Sequence, residues 1–203
     1  MRHGQTQLNV EKRLQGSGDF PLNEVGRNQA LSTKKLLEEK NLLPTKVISS
    51  PLERAIETGC LVSGLDKKDI EIADELIEMS FGTLEGKDAA KEDPTFLDRF
   101  FKNPQTYTPP EGGESYESAL SRIDSFFTKL RKRIKEGEFN DDTLLLVSHG
   151  ATSHGIFEYL TKSDRKDYWK VDFNNCAIVE IFLSENCNED GYAFISEGFQ
   201  KNW

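Results

Sequence analysis

The feature that most constrains the fold is a short apolar run, 143–148, that ends directly at His149 and Gly150. Uninterrupted apolar runs of this length are typical of strands that are buried on both faces of a sheet. Two more runs, 46–49 and 177–183, have the same character. Strands of this kind belong to sheets that are covered by helices on both sides, so the sequence predicts a central sheet rather than a helical bundle.

The segments between these runs have the periodicity of amphipathic helices. Apolar residues recur at steps of three and four over 115–135, and helices are also predicted over 23–40 and 52–63. Strands that alternate with helices predict an α/β fold, a mostly parallel sheet whose ligands bind beyond the carboxyl ends of the strands. A length of 203 residues suits one domain, which we expect to span 1–203.

Composition excludes several classes of partner and site. The chain carries 26 basic and 35 acidic residues, and this net charge of −9 argues against nucleic acid as a partner. The longest apolar run, 144–147, is far shorter than the roughly 20 residues of a membrane span, so we expect no membrane partner. The first residues do not resemble a secretory signal, which favours a cytoplasmic location. Cys60, Cys176 and Cys187 show no CxxC spacing, so no metal site is expected.

Several side chains that can carry chemistry lie at predicted strand ends or turns. His149 follows its strand directly, and Arg54 lies in the first turn of a predicted helix, where anions bind. Arg2 and His3 adjoin just before a glycine, and Glu78 precedes a segment punctuated by glycines. Each feature alone is more often a turn residue or a surface charge, but their joint occurrence predicts a phosphate site.

Four short motifs occur in order along nearly the whole chain. They are Arg2-His3-Gly4-Gln5-Thr6; Ser49-Ser50-Pro51-Leu52-Glu53-Arg54-Ala55; Glu78 before Phe81-Gly82-Thr83-Leu84-Glu85-Gly86; and Ser148-His149-Gly150. With these motifs the sequence resembles the histidine phosphatase superfamily, also called the phosphoglycerate mutase-like family. The resemblance implies a three-layer α/β/α sandwich with a small lid insertion, which we place at 87–113.

The resemblance also implies a role for each matching residue. His3 would be the nucleophile that takes the phosphoryl group as a phosphohistidine, and Glu78 would be the proton donor and acceptor. Arg2, Arg54 and His149 would surround the transferring group and stabilise its charge, and all five are therefore expected to be catalytic. The residues expected to bind phosphate or substrate are Arg2, Asn9, Gln15, Gly16, Arg54 and His149.

The expected activity is hydrolysis of a small phosphorylated metabolite, with no cofactor and no metal. A phosphoglycerate mutase with the same catalytic centre is the alternative, and a binding protein for phosphorylated ligands that has lost catalysis is a third possibility. The aromatic residues of 87–113 either line a pocket or pack the insertion. His154 is expected to be structural or on the surface. The sequence does not predict the oligomeric state or the particular phosphate ester.

One departure from the family leads to a structural expectation. In the family an apolar strand precedes the Arg-His-Gly motif, whereas here a single residue stands before Arg2. We favour a start that was assigned too far downstream. Because a missing inner strand leaves neighbouring backbone groups unpaired, we expect a gap beside the strands that end at Ser50 and Ser148. Either something beyond this sequence fills the gap, or Arg2 and His3 are poorly ordered.

Overall fold

A parallel three-stranded sheet organises the protein, whose computed structural model describes residues 1–184 and 190–199. The strands are β1 (Lys46–Ser49), β2 (Glu71–Ile72), β3 (Leu144–Val147), β4 (Ile178–Phe182) and β5 (Gly191–Ser196). The order of the parallel sheet is β2-β1-β3, and both of its pairings are parallel. A second, antiparallel sheet pairs β4 with β5. The three predicted strands are confirmed as β1, β3 and β4. Cys187, which the sequence analysis named, lies outside the described residues.

The helices confirm the predicted periodicity to within about one residue at each end. Asn23 caps one helix by accepting from Gly26 N–H, and Ser115 caps another by accepting from Ser118 N–H. The helices are α1 (Gln7–Val10), α2 (Glu24–Glu39), α3 (Glu53–Ser63), α4 (Ala89–Glu92), α5 (Tyr116–Lys135) and α6 (Gly150–Thr161). None of the described helices is long and apolar enough to cross a membrane.

Alternation along the strands divides the core into two halves. Val47 and Val147 face α2 and α3, in a cluster that includes Ala30 and Leu37. Their neighbour Ile48 points to the opposite side and packs with buried residues of α5 and α6. Because successive side chains of a strand alternate between faces, both sides of the sheet are covered by helices. This arrangement is the predicted three-layer α/β/α sandwich.

The antiparallel pairing of β4 with β5 is one part of the sheet region that the sequence did not predict. Residues 183–190 separate the two strands along the chain. A parallel return would need a crossover of a dozen or more residues, so a connection of this length permits only an antiparallel pairing. The outward side chains of β5 are half-exposed aromatic residues. Their pattern in the sequence does not distinguish this strand from a loop.

The first three residues join the two sheets. Ser148 N–H donates to the Met1 carbonyl at 2.8 Å, and His3 N–H donates to the Ser148 carbonyl at 3.0 Å. On the other side, Arg2 N–H donates to the Ala177 carbonyl at 3.1 Å, and Cys176 N–H donates back to Arg2. Both Arg2 and His3 are buried. The expectation that this pair is poorly ordered is therefore wrong.

A groove continues past Met1, between β3 and β4. Leu146 lines one side, and Val179 and Ile181 line the other. Within the described part of the chain, no strand lies between β3 and β4 along this groove. The two sheets are therefore separate along this groove, and the expectation that something beyond this sequence fills it stays a prediction.

Candidate active site

The junction between β3 and α6 builds one side of the site. His149 follows the strand in an extended conformation and precedes the first residue of α6. The first N–H groups of a helix lack intrahelical acceptors, and here Ala151 and Thr152 donate theirs to the Glu78 carboxylate, at 3.1 and 2.9 Å. Thr152 Oγ1 also lies 3.2 Å from Glu78 Oε1. The helix start thus fixes a carboxylate next to His149.

His3 lies beside His149, with the ring centroids 5.1 Å apart. Its Nδ1 is 2.6 Å from the Gly4 carbonyl, which can only accept a hydrogen bond. In the neutral ring, Nδ1 therefore carries the proton and Nε2 has a free lone pair. His149 is held from the other side, with Nε2 2.6 Å from Ser50 Oγ at the end of β1.

Two buried guanidinium groups are held by backbone carbonyls. Arg54 donates from Nη1 to the Gly18 carbonyl at 2.7 Å and from Nη2 to the Gly16 carbonyl at 2.8 Å. Arg2 donates from Nη1 to the Phe173 carbonyl at 2.7 Å. Carbonyls orient a guanidinium without cancelling its charge, so both cations remain available to an anion.

Charge and burial together set the protonation of these groups. Burial, followed by the nearby Arg54 and Arg2 cations, holds the pKa of His3 well below its usual 6.5. Burial and Arg54 do the same to the pKa of His149. Burial also lowers the pKa of Arg54, to about 10, and the Glu78 carboxylate opposes this shift. At neutral pH the site therefore holds two neutral imidazoles and two cations.

Three buried nitrogen atoms of the site have no hydrogen-bond partner among the described residues. They are Nε of Arg2 and Nε of Arg54, which are donors, and Nδ1 of His149, which is a donor when Nε2 accepts from Ser50 Oγ. Buried polar groups are rarely left unpaired, because an unmet donor costs about 1–3 kcal/mol. Three such atoms around the His3 ring indicate a place for a ligand that is rich in acceptors.

Glu85 connects the two loops that carry these groups. Its Oε1 accepts from Ser17 N–H, Ser80 Oγ and Phe81 N–H at 2.9–3.0 Å, and its Oε2 accepts from Gly18 N–H at 2.9 Å. Residues 16–18 supply the carbonyls that hold Arg54, and residues 80–81 follow Glu78 closely. One carboxylate therefore sets the distance between the Arg54 loop and the Glu78 loop.

The same contact explains why position 16 is a glycine. Gly16 has a φ of +56°, and a Cβ there would lie 2.1 Å from Glu85 Oε1.

Asn9 and Gln15 lie nearby on the cavity wall. Both accept a hydrogen bond from Thr6, Asn9 from the N–H and Gln15 from Oγ1, at 3.0 and 2.9 Å.

The site residues predicted from the sequence, except His149, line one large cavity of about 770 Å³. His149 is fully buried behind His3. The structure thus brings together every residue that the sequence singled out, from four separate parts of the chain. Within residues 1–184 and 190–199, no group of three or more His, Cys, Asp or Glu side chains is placed so that it could hold a metal ion.

The aromatic residues of 87–113 divide between the two expected arrangements. Phe96, Phe100 and Tyr107 form a cluster with ring centroids 5.0–6.1 Å apart, and Phe96 and Phe100 are buried. Phe101 follows Phe100 and remains 41% exposed on the cavity wall. One part of the segment therefore packs the insertion, and the other part lines a pocket.

His154 was expected to be structural or on the surface, and it is buried on the cavity wall. It lies one turn into α6, on the side that faces Trp169 and Phe173. Neither His154 nor these two aromatics belongs to a motif, so the sequence alone gave no signal for them. Glu85 lay inside a recognised motif, but its role follows only from the contacts that it makes across the site.

Comparison with known proteins identifies the family. The family described as the histidine phosphatase superfamily (branch 1) matches residues 1–189. The chain belongs to this superfamily. The solved structure of Bacillus stearothermophilus YhfR superposes on this one with a TM-score of 0.80 at 27% identity, over 97% of this chain and 94% of that one. The fold is therefore phosphoglycerate mutase-like.

Two curated members of the superfamily illustrate its range. A metal-independent phosphoserine phosphatase of Arabidopsis thaliana is 30% identical over 168 residues, which are 80% of this chain and 68% of that protein. A bifunctional protein of Mycobacterium tuberculosis is 36% identical over 152 residues, which are 73% of this chain. The match spans only 40% of the mycobacterial protein's own length.

Proposed function

We propose that this protein is a phosphatase that hydrolyses a small phosphate monoester through a phosphohistidine on His3. The observation that carries the proposal is a set of three buried nitrogen atoms without a partner among the described residues, the guanidinium donors Nε of Arg2 and Arg54 and Nδ1 of His149, around an imidazole whose Nε2 is unprotonated. A phosphoryl group has several acceptor oxygens and a negative charge, which is what such donors bind.

In the first step, Nε2 of His3 attacks phosphorus and the bond between phosphorus and the ester oxygen breaks. Glu78 in its acid form gives a proton to the departing alcohol. Within the described chain, Glu78 Oε2 accepts only the Ala151 N–H, so it retains a lone pair that can carry this proton. Arg2 and Arg54 stabilise the charge that spreads over the phosphoryl oxygens in the transition state.

In the second step, Glu78 takes a proton from water, and the resulting hydroxide attacks the phosphohistidine. The bond from Nε2 to phosphorus breaks, inorganic phosphate leaves, and His3 is neutral again. The low pKa of His3 keeps its lone pair available before each turnover. Every proton moves between Glu78, the leaving alcohol and water, so the cycle needs no metal or cofactor.

The phosphoserine phosphatase name of the Arabidopsis relative supports hydrolysis over the mutase reaction. The proposal includes a small phosphorylated metabolite as substrate and a cytoplasmic location, both expectations from the sequence. A lost catalytic function is disfavoured because His3, Glu78 and His149 all have the surroundings that their roles require.

The test is release of inorganic phosphate from a panel of phosphate monoesters by the purified protein, with and without a chelator. We expect turnover that the chelator does not change and that His3→Ala abolishes. A parallel reaction contains 3-phosphoglycerate with catalytic 2,3-bisphosphoglycerate. If 2-phosphoglycerate forms faster than free phosphate there, the protein is a mutase and the proposal is wrong.

A further inference from the structure

The part of the cavity that lies beyond the phosphate site has a continuous aromatic wall. It consists of Phe101, Trp169, His154 and Phe173, and its neighbouring ring centroids are 4.7, 4.3 and 4.9 Å apart in that order. The last member adjoins the phosphate site, because the Phe173 carbonyl accepts from Arg2. A group attached to the bound phosphate can therefore extend along the wall.

The wall is supported from behind by polar contacts. Trp169 Nε1 donates to Tyr116 Oη at 2.9 Å, and Tyr116 Oη donates to the Phe100 carbonyl at 2.9 Å. Tyr168 Oη donates to the Ala151 carbonyl at 2.7 Å. These contacts tie the wall to α5, α6 and the segment 87–113. The aromatic surface is thus preformed, which lowers the entropic cost of binding along it.

Two apolar side chains of the cavity lining remain partly exposed. Phe101 is 41% exposed and Leu97 is 38% exposed, and both line the cavity. Clustered exposed apolar side chains in a cavity are typical of ligand surfaces, because folding alone would favour their burial.

The charges of the cavity do not favour a second anion. Beyond the phosphate site, the described basic side chains of the lining are Lys12 and Arg13, whereas the acidic ones are Glu11, Asp88 and Asp172. Arg13 already pairs with Glu11 at 3.2 Å. Without excess positive charge, a leaving group that carries a carboxylate or a second phosphate gains little attraction here.

We infer that the substrate is a monoester of an uncharged alcohol with an extended apolar or aromatic body, which packs against Phe101, Trp169, His154 and Phe173. This inference rests on the proposed phosphatase function and specifies its substrate class. Each methylene that the wall removes from water raises kcat/KM by about two- to fourfold.

The experiment measures kcat/KM for ethyl phosphate, hexyl phosphate, 2-phenylethyl phosphate and O-phosphoserine. The three simple alcohols have similar basicity, so differences among them report binding of the alcohol rather than its reactivity. We expect the 2-phenylethyl ester to exceed the ethyl ester by tenfold or more, with O-phosphoserine below both long esters. A ratio near one, or a preference for O-phosphoserine, would overturn the inference and leave the phosphatase proposal standing.

A matched pair of variants links the preference to the wall. Phe101→Ser removes one member of the wall, whereas Phe182→Ser changes a phenylalanine of 50% exposure that lies on β4 and does not line the cavity. We expect the ratio of 2-phenylethyl to ethyl ester to fall at least threefold in Phe101→Ser and to stay unchanged in Phe182→Ser. An unchanged ratio in both variants overturns the inference. If the native protein hydrolyses no ester at all, the phosphatase proposal fails together with it.

Discussion

The two ends of the cavity are built in different ways. At the phosphate end, each charged or ionisable side chain is held by backbone groups or hydroxyls, such as the carbonyls on Arg54 and the amides on Glu78. At the aromatic end, side chains of three separate segments contact each other through their rings. The first end fixes one geometry for one chemical step. The second end offers a surface whose shape sets which alcohol is accepted.

This difference predicts how the two ends respond to substitution. Loss of a group at the phosphate end lowers the rate for every ester, because the transferred group is common to all of them. Loss of a group at the aromatic end changes the order of preference among esters, as the comparison of Phe101 and Phe182 variants tests. Substitutions at the phosphate end are expected to change the rate more than substitutions at the aromatic end.

The largest effect is expected for His3→Ala, because no covalent route remains. Loss of a nucleophile costs on the order of 10⁴- to 10⁶-fold in kcat. The measurement is phosphate release from each ester of the panel, with Val10→Ala as a control at an exposed residue nearby. Retention of more than a hundredth of the activity by a folded His3→Ala protein would contradict the assigned role.

Arg54→Lys is expected to lower kcat/KM by about 10²- to 10³-fold. A lysine keeps the charge but cannot donate to the Gly16 and Gly18 carbonyls while it also contacts the phosphoryl group. Arg27→Lys is the matched control, since Arg27 forms a single exposed ion pair with Glu57. If both variants are equally active, the fixed geometry of the guanidinium is unimportant for catalysis.

Glu85→Gln is expected to have an intermediate effect. Among the described residues, four of the five hydrogen bonds to Glu85 end on Oε1, but Gly18 N–H donates to Oε2, where the amide of glutamine would present a second donor. We expect a loss of about 1–3 kcal/mol in the free energy of unfolding and a lower kcat for every ester. Unfolding in denaturant and steady-state kinetics measure both quantities.

The control for this variant is Glu57→Gln, which removes one exposed ion pair. The role of Glu85 as a positioning residue requires that kcat falls while the order of preference among esters is retained. A change in that order without a change in kcat would place the effect of Glu85 at the aromatic end instead.

The dependence of stability on pH involves no change in the turnover of any ester. Because the pKa values of His3 and His149 lie well below 6.5 in the folded protein, the unfolded chain binds more protons as the pH falls below 6.5. The free energy of unfolding therefore decreases with acidification, by up to about 1.4 kcal/mol per pH unit for each histidine. Denaturant unfolding at pH 7.5, 6.0 and 5.0 measures this slope.

His149→Asn removes one of these titrations without adding a charge. Its unfolding free energy should depend less steeply on pH than that of the native protein between pH 6.5 and 5. Parallel slopes for the two proteins would mean that His149 is protonated in the folded state, contrary to its buried position beside Arg54.

The difference between the phosphate end and the aromatic end explains what the sequence could and could not predict. Val47 and Val147 belong to apolar runs, and these runs predicted the sheet and the position of His149 at a strand end. Motifs likewise gave Arg2, His3, Arg54 and Glu78, because their chemistry requires fixed residue types. The aromatic wall has no such pattern, since it arises from tertiary contacts between segments that are distant along the chain. For the same reason, His154 was not recognised as a cavity residue.

The sheet also contains strands that a local sequence pattern cannot predict. β2 has only two residues, and β5 alternates too weakly to be distinguished from a loop. The resemblance to the family predicted a gap beside β3, but it did not predict that Met1, Arg2 and His3 bond to Ser148 on one side and to Ala177 and Cys176 on the other. Backbone pairing of this kind depends on the surrounding sheet and leaves no trace in three residues.

The most direct test of the central claim is to trap the phosphorylated protein. A ³²P-labelled ester is mixed with enzyme, the reaction is quenched within the first turnover, and the protein is digested at alkaline pH. We expect an acid-labile phosphate on the peptide that contains His3, formed and lost at rates that match turnover. Steady hydrolysis without any label, or a label on a residue other than His3, would contradict the account.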